Sequence, residues 1–234
     1  MTSAHISAST ERYDPNNSEY YWLNKYHNKI ITLIPTVANK KVLDAGSGYG
    51  LTEPVLLSMG AEKVDAFDIE NESIEYSRIK YPSDKLNFEV KDFNEMGFKL
   101  DYYDVALSVD VLEHLKNYEF YLSNIAKSLK IGGKLFLVTP NKKMSLGLNE
   151  FHLKEFTSTE MEQLFEKYSL KILDFKGITP SREITKIGSV TPKIVLVLIR
   201  KFRFLHKFLI DRLENFHQED PEQSNSLVYL CEKI

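Results

Sequence analysis

The sequence predicts an α/β fold built on a doubly wound, mostly parallel sheet. Two observations predict it. From about residue 40 to residue 170, short apolar segments of strand length alternate with segments that favour helix, and such alternation places helices on both faces of a parallel sheet through right-handed crossovers. In addition, a glycine-rich turn at residues 46–50 lies between a strand and a helix, where doubly wound sheets bind nucleotides.

The individual elements follow from the apolar pattern. Strands are predicted near residues 41–45, 63–68, 86–91, 103–109 and 134–139, and two more near 170–176 and 226–233 complete seven, with an antiparallel end strand. Helices are predicted near residues 51–59, 71–80, 117–129 and 158–168. Thr157 and Glu160 have capping-box spacing at the start of the last helix. An earlier, aromatic-rich helix should begin after Ser18 and end near Leu33, before Pro35.

The chain is expected to contain a flexible N-terminus, residues 1–17, followed by a single domain, residues 18–234. A helical insertion at about residues 178–222 separates the last two predicted strands. Within it, residues 192–216 show apolar side chains at three- and four-residue steps, with a basic complement. Three interpretations stay open: a helix packed on the domain or on a dimer partner, a lid over an apolar substrate, and a helix lying on a membrane surface.

Composition narrows the class of protein further. The 234 residues carry a formal net charge of −3, which argues against a nucleic-acid partner because phosphate binding favours a basic face. The single cysteine, Cys231, cannot form an intrachain disulfide, as expected of a protein in a reducing compartment. No apolar segment of signal-peptide or bilayer-spanning length is visible. We therefore expect a cytoplasmic protein, with peripheral membrane contact through residues 192–216 as an alternative.

The glycine-rich turn is the most informative motif. Residues 42–50 read VLDAGSGYG, and glycines at alternate positions let the backbone turn sharply and approach a ligand closely. A dinucleotide site would require a small residue at position 51, where this chain has Leu51. The motif instead resembles the first motif of the class I S-adenosylmethionine (SAM)-dependent methyltransferases.

Four later segments resemble the same family in the expected order. They are residues 64–68, 87–93, 103–115 and 129–141, so that the likeness covers roughly residues 40–170. It implies a Rossmann-like fold, similar to the small-molecule methyltransferases of the ubiquinone pathway, and SAM as cofactor with S-adenosylhomocysteine as product. The cofactor-binding residues that it implies are Asp44, Gly46, Ser47, Gly48, Asp68, Ile69, Asp92, Phe93 and Val109.

The resemblance also implies roles within that set. Asp44 and Gly46 would contact the methionine portion of the cofactor, and Asp92 with Phe93 would contact the adenine. Asp68 would bind the ribose, because a carboxylate at a strand end can accept two hydrogen bonds from its hydroxyls.

The acceptor chemistry is expected after the fourth and fifth strands, since ligands bind at the carboxyl ends of parallel strands. Asp110 and His114 follow the fourth strand and His152 follows the fifth, and these three are the candidate catalytic residues. Either histidine could act as a general base on a hydroxyl or amine.

A divalent metal is the alternative use of the same segment. Asp110, Glu113, His114 and His152 supply two carboxylates and two imidazoles, a plausible hard-metal set. It resembles the Glu-x-x-Glu-His motif of ubiquinone-pathway O-methyltransferases and of RNA 2′-O-methyltransferases. Because Asp110 is shorter than the glutamate of that motif, no metal is expected.

These observations favour a SAM-dependent methyltransferase that acts on an oxygen or nitrogen of a small acceptor. The aromatic N-terminal helix and residues 192–216 favour an apolar or lipid-linked acceptor. Two alternatives stay open: a metal-dependent RNA 2′-O-methyltransferase, and a SAM-binding regulatory or scaffold protein without turnover. A homodimer is compatible with each of them.

Overall fold

The computed structural model describes residues 18–145, 149–179 and 217–234. Its strands are β1 (Lys41–Ala45), β2 (Lys63–Asp68), β3 (Leu86–Val90), β4 (Tyr103–Val109), β5 (Leu129–Pro140), β6 (Leu170–Thr179), β7 (His217–Glu219) and β8 (Ser226–Lys233). Its helices are α1 (Ser18–Ile31), α2 (Glu53–Ser58), α3 (Asn71–Lys80), α4 (Tyr118–Ser128) and α5 (Ser158–Lys167), with 3-10 helices at Leu112–His114 and Pro221–Gln223.

The strands form one sheet in the order β3-β2-β1-β4-β5-β8-β6-β7. The pairs β1–β2, β2–β3, β1–β4 and β4–β5 are parallel, and β5–β8 is antiparallel. This confirms the predicted doubly wound sheet with its antiparallel end strand, to which the three-residue β7 is added. The chain order reverses between β1 and β4, and this is the switch point at which such sheets bind ligands.

The chain divides into two compact units. Residues 35–177 and 219–234 form the larger unit, which contains all of the candidate site residues. Residues 1–34 and 178–218 form the smaller unit, which contains α1. The predicted flexible N-terminus and the amphipathic segment 192–216 lie outside the described residues. Among the helices that the structure does describe, none is both long enough and apolar enough to span a membrane.

Among the element boundaries that differ from the prediction, two have a clear physical reason. Helix α2 begins at Glu53 rather than at residue 51, because the glycine turn continues to Thr52 and Pro54 occupies the first turn of the helix. Strand β5 begins at Leu129 rather than at residue 134. The glycine pair at 132–133 therefore lies inside an irregular strand and not in a turn before it. The pairing of this strand with β4 shifts register there.

The core of the larger unit is apolar and tightly enclosed. Buried strand residues such as Leu43 and Leu137 pack with side chains of α4 and α5, among them Ile125 and Phe165. Cys231 is part of this core, and burial raises the pKa of its thiol to about 12. A thiol of that pKa is almost fully protonated near neutral pH, so Cys231 is an inert packing residue.

The start of α5 has the predicted capping box. The backbone N–H of Glu160 donates to Thr157 Oγ1 at 3.2 Å, and the N–H of Thr157 donates to Glu160 Oε2 at 2.9 Å. The two side chains thereby satisfy two backbone donors at the helix start, which fixes where the chain leaves the preceding loop.

Candidate active site

The glycine turn is held against the ends of two neighbouring strands. The N–H groups of Gly46 and Ser47 both donate to the carbonyl oxygen of Phe67 in β2, at 2.8 and 3.0 Å. Gly46 has φ +108° and Gly48 has φ +51°, conformations that favour glycine. A Cβ atom on Gly46 would lie 2.2 Å from Val111 Cγ2 in the segment after β4. Gly46 is thus required by packing within the protein as well as by any ligand.

Replacing Gly46 by Ala should therefore destabilise the fold strongly. The new methyl group would meet Val111 in a backbone conformation that is itself unfavourable, so we expect a loss of about 3 kcal/mol or more. Gly132 is the matched control, because it has φ +76° but nothing within 4 Å of its Cβ position. Gly132→Ala should cost only about 1 kcal/mol. Equal losses for the two variants in urea unfolding would contradict the packing argument.

Asp68 joins the glycine turn to the end of β2. Its Oδ2 accepts a hydrogen bond from the N–H of Gly48 at 2.9 Å, and its Oδ1 accepts one from the N–H of Glu70 at 3.0 Å. Asp68 therefore shapes the turn, and its contact with the ribose hydroxyls stays a prediction. Ile69 follows it, half-buried.

The predicted adenine residues lie just beyond β3. Asp92 is half-buried, and its Oδ1 accepts hydrogen bonds from both the N–H and the side-chain amide of Asn94, at 2.8 and 3.0 Å. The ring of Phe93 is buried among core aromatics, with its centroid 5.3 Å from that of Tyr121. The contact of Phe93 with the adenine therefore stays a prediction. Val109, the last predicted cofactor residue, is half-buried at the end of β4.

Two buried acids lie at the base of the glycine turn. Asp44, in β1, is 4% exposed, and Glu53, the first residue of α2, is fully buried. Burial raises the pKa of Asp44 to about 7, with a contribution from the negative charge of Asp68. Burial and the charge of Asp44 also hold the pKa of Glu53 well above its usual value. Glu53 carries no sequence signal, because an acid in the first turn of a helix is common and its depth of burial is not visible in a sequence.

The pKa of Asp44 leads to a stability prediction. Between pH 4 and 7 the folded state binds more protons at this carboxyl than the unfolded state, whose pKa is near 3.8, so stability falls as the pH rises. Asp44→Asn removes this ionisation. We expect the variant to have a higher Tm than the wild type at pH 8, by about 3 °C or more, and a smaller difference at pH 4.

Asp84→Asn is the control for that measurement, because Asp84 is exposed. The control variant should have the same Tm as the wild type at both pH values. A Tm for Asp44→Asn at pH 8 that is below the wild-type value would show that the ionised carboxylate stabilises the free protein, contrary to this account.

A second cluster of polar groups follows β4. Glu113 is fully buried, and its Oε2 accepts a hydrogen bond from the hydroxyl of Thr139 at 3.1 Å. Burial, together with the charge of Asp110, holds the pKa of Glu113 well above its usual value. The backbone N–H groups of Leu153 and Lys154 donate to the Glu113 carbonyl oxygen, at 2.8 and 3.1 Å. These bonds hold the segment that contains His152 next to the 3-10 helix.

The surroundings of His114 define its tautomer. Its Nδ1 lies 3.0 Å from the carbonyl oxygen of Phe151, which can only accept a hydrogen bond. In the neutral ring Nδ1 therefore carries the proton and Nε2 carries the lone pair. Nε2 is 3.9 Å from Glu113 Oε1. The Nε2 atom of the half-buried His114 ring thus lies beside a buried carboxyl group.

His152 is engaged at both ring nitrogens. Its Nδ1 lies 2.7 Å from Glu155 Oε1, and its Nε2 lies 2.7 Å from the side-chain nitrogen of Asn149. The N–H of Phe151 donates to Asn149 Oδ1, which fixes the orientation of that amide. The rings of His114 and His152 meet edge to face, with centroids 5.0 Å apart. His152 is therefore held at both ring nitrogens while its ring packs against that of His114.

The structure brings together three of the four predicted metal ligands. Ligand atoms of Glu113, His114 and His152 lie within 4.8 Å of one another, and across the described ranges this group does not extend to Asp110. Asp110 instead has a left-handed backbone, with φ +52°, directly after β4. A metal on this group would have to displace Asn149 from His152, so the donor set fits a divalent ion poorly. Asn149 and Glu155 carried no sequence signal, since their role depends on loop geometry.

An acid-rich glycine turn at the switch point of a doubly wound sheet defines a nucleotide-cofactor-binding protein of the α/β class. A family model described as "Methyltransferase domain" matches residues 21–174. The chain belongs to this family, the SAM-dependent methyltransferases, and SAM is accordingly its cofactor.

Curated relatives agree with the family. A protein of Mycolicibacterium smegmatis named "Probable S-adenosylmethionine-dependent methyltransferase" is 26% identical over 165 residues, which cover 68% of this chain and 63% of the relative. The ubiquinone biosynthesis O-methyltransferase of Pelagibacter ubique is 31% identical over 107 residues, which cover 45% of this chain and 44% of that protein. The chain thus spans between about two fifths and two thirds of the length of these relatives.

Solved structures share the fold at low sequence identity. A chain from the complex of the Haloferax volcanii Trm112 methyltransferase activator with a methyltransferase has a TM-score of 0.70 and 16% identity, covering 98% of this chain and 95% of that one. A SAM-dependent methyltransferase of Mesorhizobium loti has a TM-score of 0.64 and 14% identity, covering 88% of this chain and 96% of that one. These likenesses show the architecture alone.

The residues at the glycine turn fit SAM. The Oγ of Ser47 and both carboxyl oxygens of Glu53 are buried and lack a hydrogen-bond partner within the described part of the chain. A ligand that brings its own polar groups can satisfy them. The acids Asp44, Glu53 and Asp68 also complement a cofactor whose methionine portion carries both an ammonium and a sulfonium group.

Proposed function

We propose that this chain transfers the methyl group of SAM to an oxygen or nitrogen of a small-molecule acceptor, with His114 as the general base. The observation that carries the proposal is the hydrogen bond from His114 Nδ1 to Phe151, since it leaves the lone pair on Nε2. SAM, when bound, supplies a methyl group activated by a sulfonium leaving group. The protein then has to position and desolvate the acceptor and take its proton.

Glu113 supports this role electrostatically. Its carboxyl group lies 3.9 Å from His114 Nε2, and its pKa is held high by burial. When His114 takes up a proton, the new positive charge lowers the pKa of a carboxyl at that distance and favours its ionisation. For each proton that His114 takes from the acceptor, Glu113 then releases one to solvent, and the imidazolium pairs with a carboxylate instead of remaining an unpaired buried charge.

An apolar or lipid-linked acceptor is the more specific part of the proposal. It is supported by the apolar and basic pattern of residues 192–216 and by the relatives named ubiquinone biosynthesis O-methyltransferase. The runner-up, a metal-dependent RNA 2′-O-methyltransferase, is supported only by the grouping of Glu113 with the two histidines.

Methyl-labelled SAM tests these alternatives. The protein is incubated with it and with a host extract divided into lipid, polar small-molecule, RNA and protein fractions, with and without EDTA. We expect label in the lipid or small-molecule fraction, unaffected by EDTA. Label confined to RNA and abolished by EDTA would favour the metal-dependent alternative. Tight binding of S-adenosylhomocysteine without label in any fraction would favour a scaffold role.

A further inference from the structure

Glu53 is a buried acid that the fold does not satisfy. Its side chain is fully buried, and in the described residues neither carboxyl oxygen has a hydrogen-bond partner. The backbone amides of Glu53 itself and of Thr52 lower its pKa, although neither N–H meets hydrogen-bond geometry with a carboxyl oxygen. The charged groups that act on it are Asp44 and Asp68, which are carboxylates as well.

Asp65 is a buried acid of the same unit whose carboxylate does have partners within the protein. It is 1% exposed, but its Oδ2 accepts hydrogen bonds from Lys99 Nζ and from the hydroxyl of Tyr103, both at 2.9 Å. These partners lower the pKa of Asp65 in spite of its burial. An unpartnered buried carboxyl is destabilising, so the contrast indicates that Glu53 receives its partner from outside the described residues.

The position of Glu53 indicates which partner. It follows the glycine turn directly, and Asp44 and Asp68 lie at the ends of the adjacent strands β1 and β2. Among the described residues, no cation contributes to the electrostatic surroundings of Asp44 or Glu53, and such a pair of buried carboxyls complements a ligand cation. The cofactor supplies one, the α-ammonium group of its methionine portion, which SAM and S-adenosylhomocysteine share.

We propose that Glu53 binds the α-ammonium group of the cofactor together with Asp44, and that cofactor binding releases a proton from this pair to solvent. The family already implies the contact from Asp44; Glu53 and the proton release are new. The ammonium group keeps its protons, and the carboxyl group becomes a carboxylate that pairs with it. The inference depends on cofactor binding and is independent of the methyl acceptor.

Calorimetry with two ligands tests the proposal. S-adenosylhomocysteine carries the ammonium group, whereas 5′-methylthioadenosine retains the adenosine but lacks the amino-acid portion. Titrations at pH 7 in two buffers of different ionisation enthalpy give the number of protons released. We expect the wild-type protein to release protons with the first ligand and none with the second. In Glu53→Gln, affinity for S-adenosylhomocysteine should fall about tenfold or more and proton release should decrease.

Two controls make the result decisive. Glu53→Gln should bind 5′-methylthioadenosine within twofold of the wild type, which shows that the turn is intact. Glu62→Gln, the same change at an exposed position, should match the wild type with both ligands. The proposal is overturned if the wild type releases no proton with S-adenosylhomocysteine, if Glu53→Gln retains wild-type affinity, or if it loses both ligands equally. Failure of the wild type to bind S-adenosylhomocysteine would contradict the cofactor assignment itself.

Discussion

Replacing His114 by Gln is expected to lower the rate of methyl transfer by about 10²- to 10⁴-fold, the usual contribution of a general base. Glutamine keeps much of the side-chain volume and can donate to the Phe151 carbonyl oxygen as Nδ1 does. It provides no basic nitrogen at the position of Nε2. The defect should therefore appear in the rate, while the affinity for S-adenosylhomocysteine stays within about twofold of the wild type.

His152→Gln is the matched control, because His152 lies against His114 but has both nitrogens engaged by Glu155 and Asn149. We expect a loss of no more than about tenfold, as for a residue that positions the base. The rates are measured by label transfer from SAM into the extract fraction that the wild type labels. Equal defects in the two variants, or full activity of His114→Gln, would contradict the role of His114 as general base.

Replacing Asp68 by Ala should weaken S-adenosylhomocysteine binding by about 100-fold or more. Each hydrogen bond to a charged group contributes about 1.5–3 kcal/mol, and the predicted ribose contact supplies two. The change also removes the acceptors for the N–H groups of Gly48 and Glu70. The glycine turn is then less well held, which adds to the loss.

Calorimetry on Asp68→Ala and Asp68→Asn separates these two effects. Asparagine retains one side-chain oxygen as acceptor but loses the charge, so its affinity should lie between those of the wild type and the alanine variant. Asp84→Ala, at an exposed site, should bind as the wild type does. Unchanged affinity of Asp68→Ala would refute the assignment of this residue to the cofactor.

The fold was predictable because its signals are local. Strands β1, β2 and β4 are apolar segments bounded by turn residues, and each was placed to the residue. The capping box of α5 depends on two side chains three residues apart. The start of β5 was missed for a tertiary reason. Strand β5 begins before its glycine pair because Leu129 already pairs with Tyr103 of β4.

The site was predictable in its motifs but not in its division of roles. The sequence identified both histidines, yet the two side chains that engage the ring nitrogens of His152, Glu155 and Asn149, come from an adjacent loop with no motif. Gly46 was expected to make room for a ligand, and it also makes room for Val111, 65 positions along the chain. The burial of Glu53 depends on how α2 packs, which no local pattern reveals.

The most direct test of the account is methyl transfer by the wild type and by His114→Gln, side by side, with methyl-labelled SAM and the fractionated extract. The account predicts label in the lipid or small-molecule fraction with the wild type, and about 10²-fold less or lower still with the variant. Equal labelling by the two proteins would contradict the role of His114. Absence of label with a wild-type protein that binds S-adenosylhomocysteine would contradict the proposed activity.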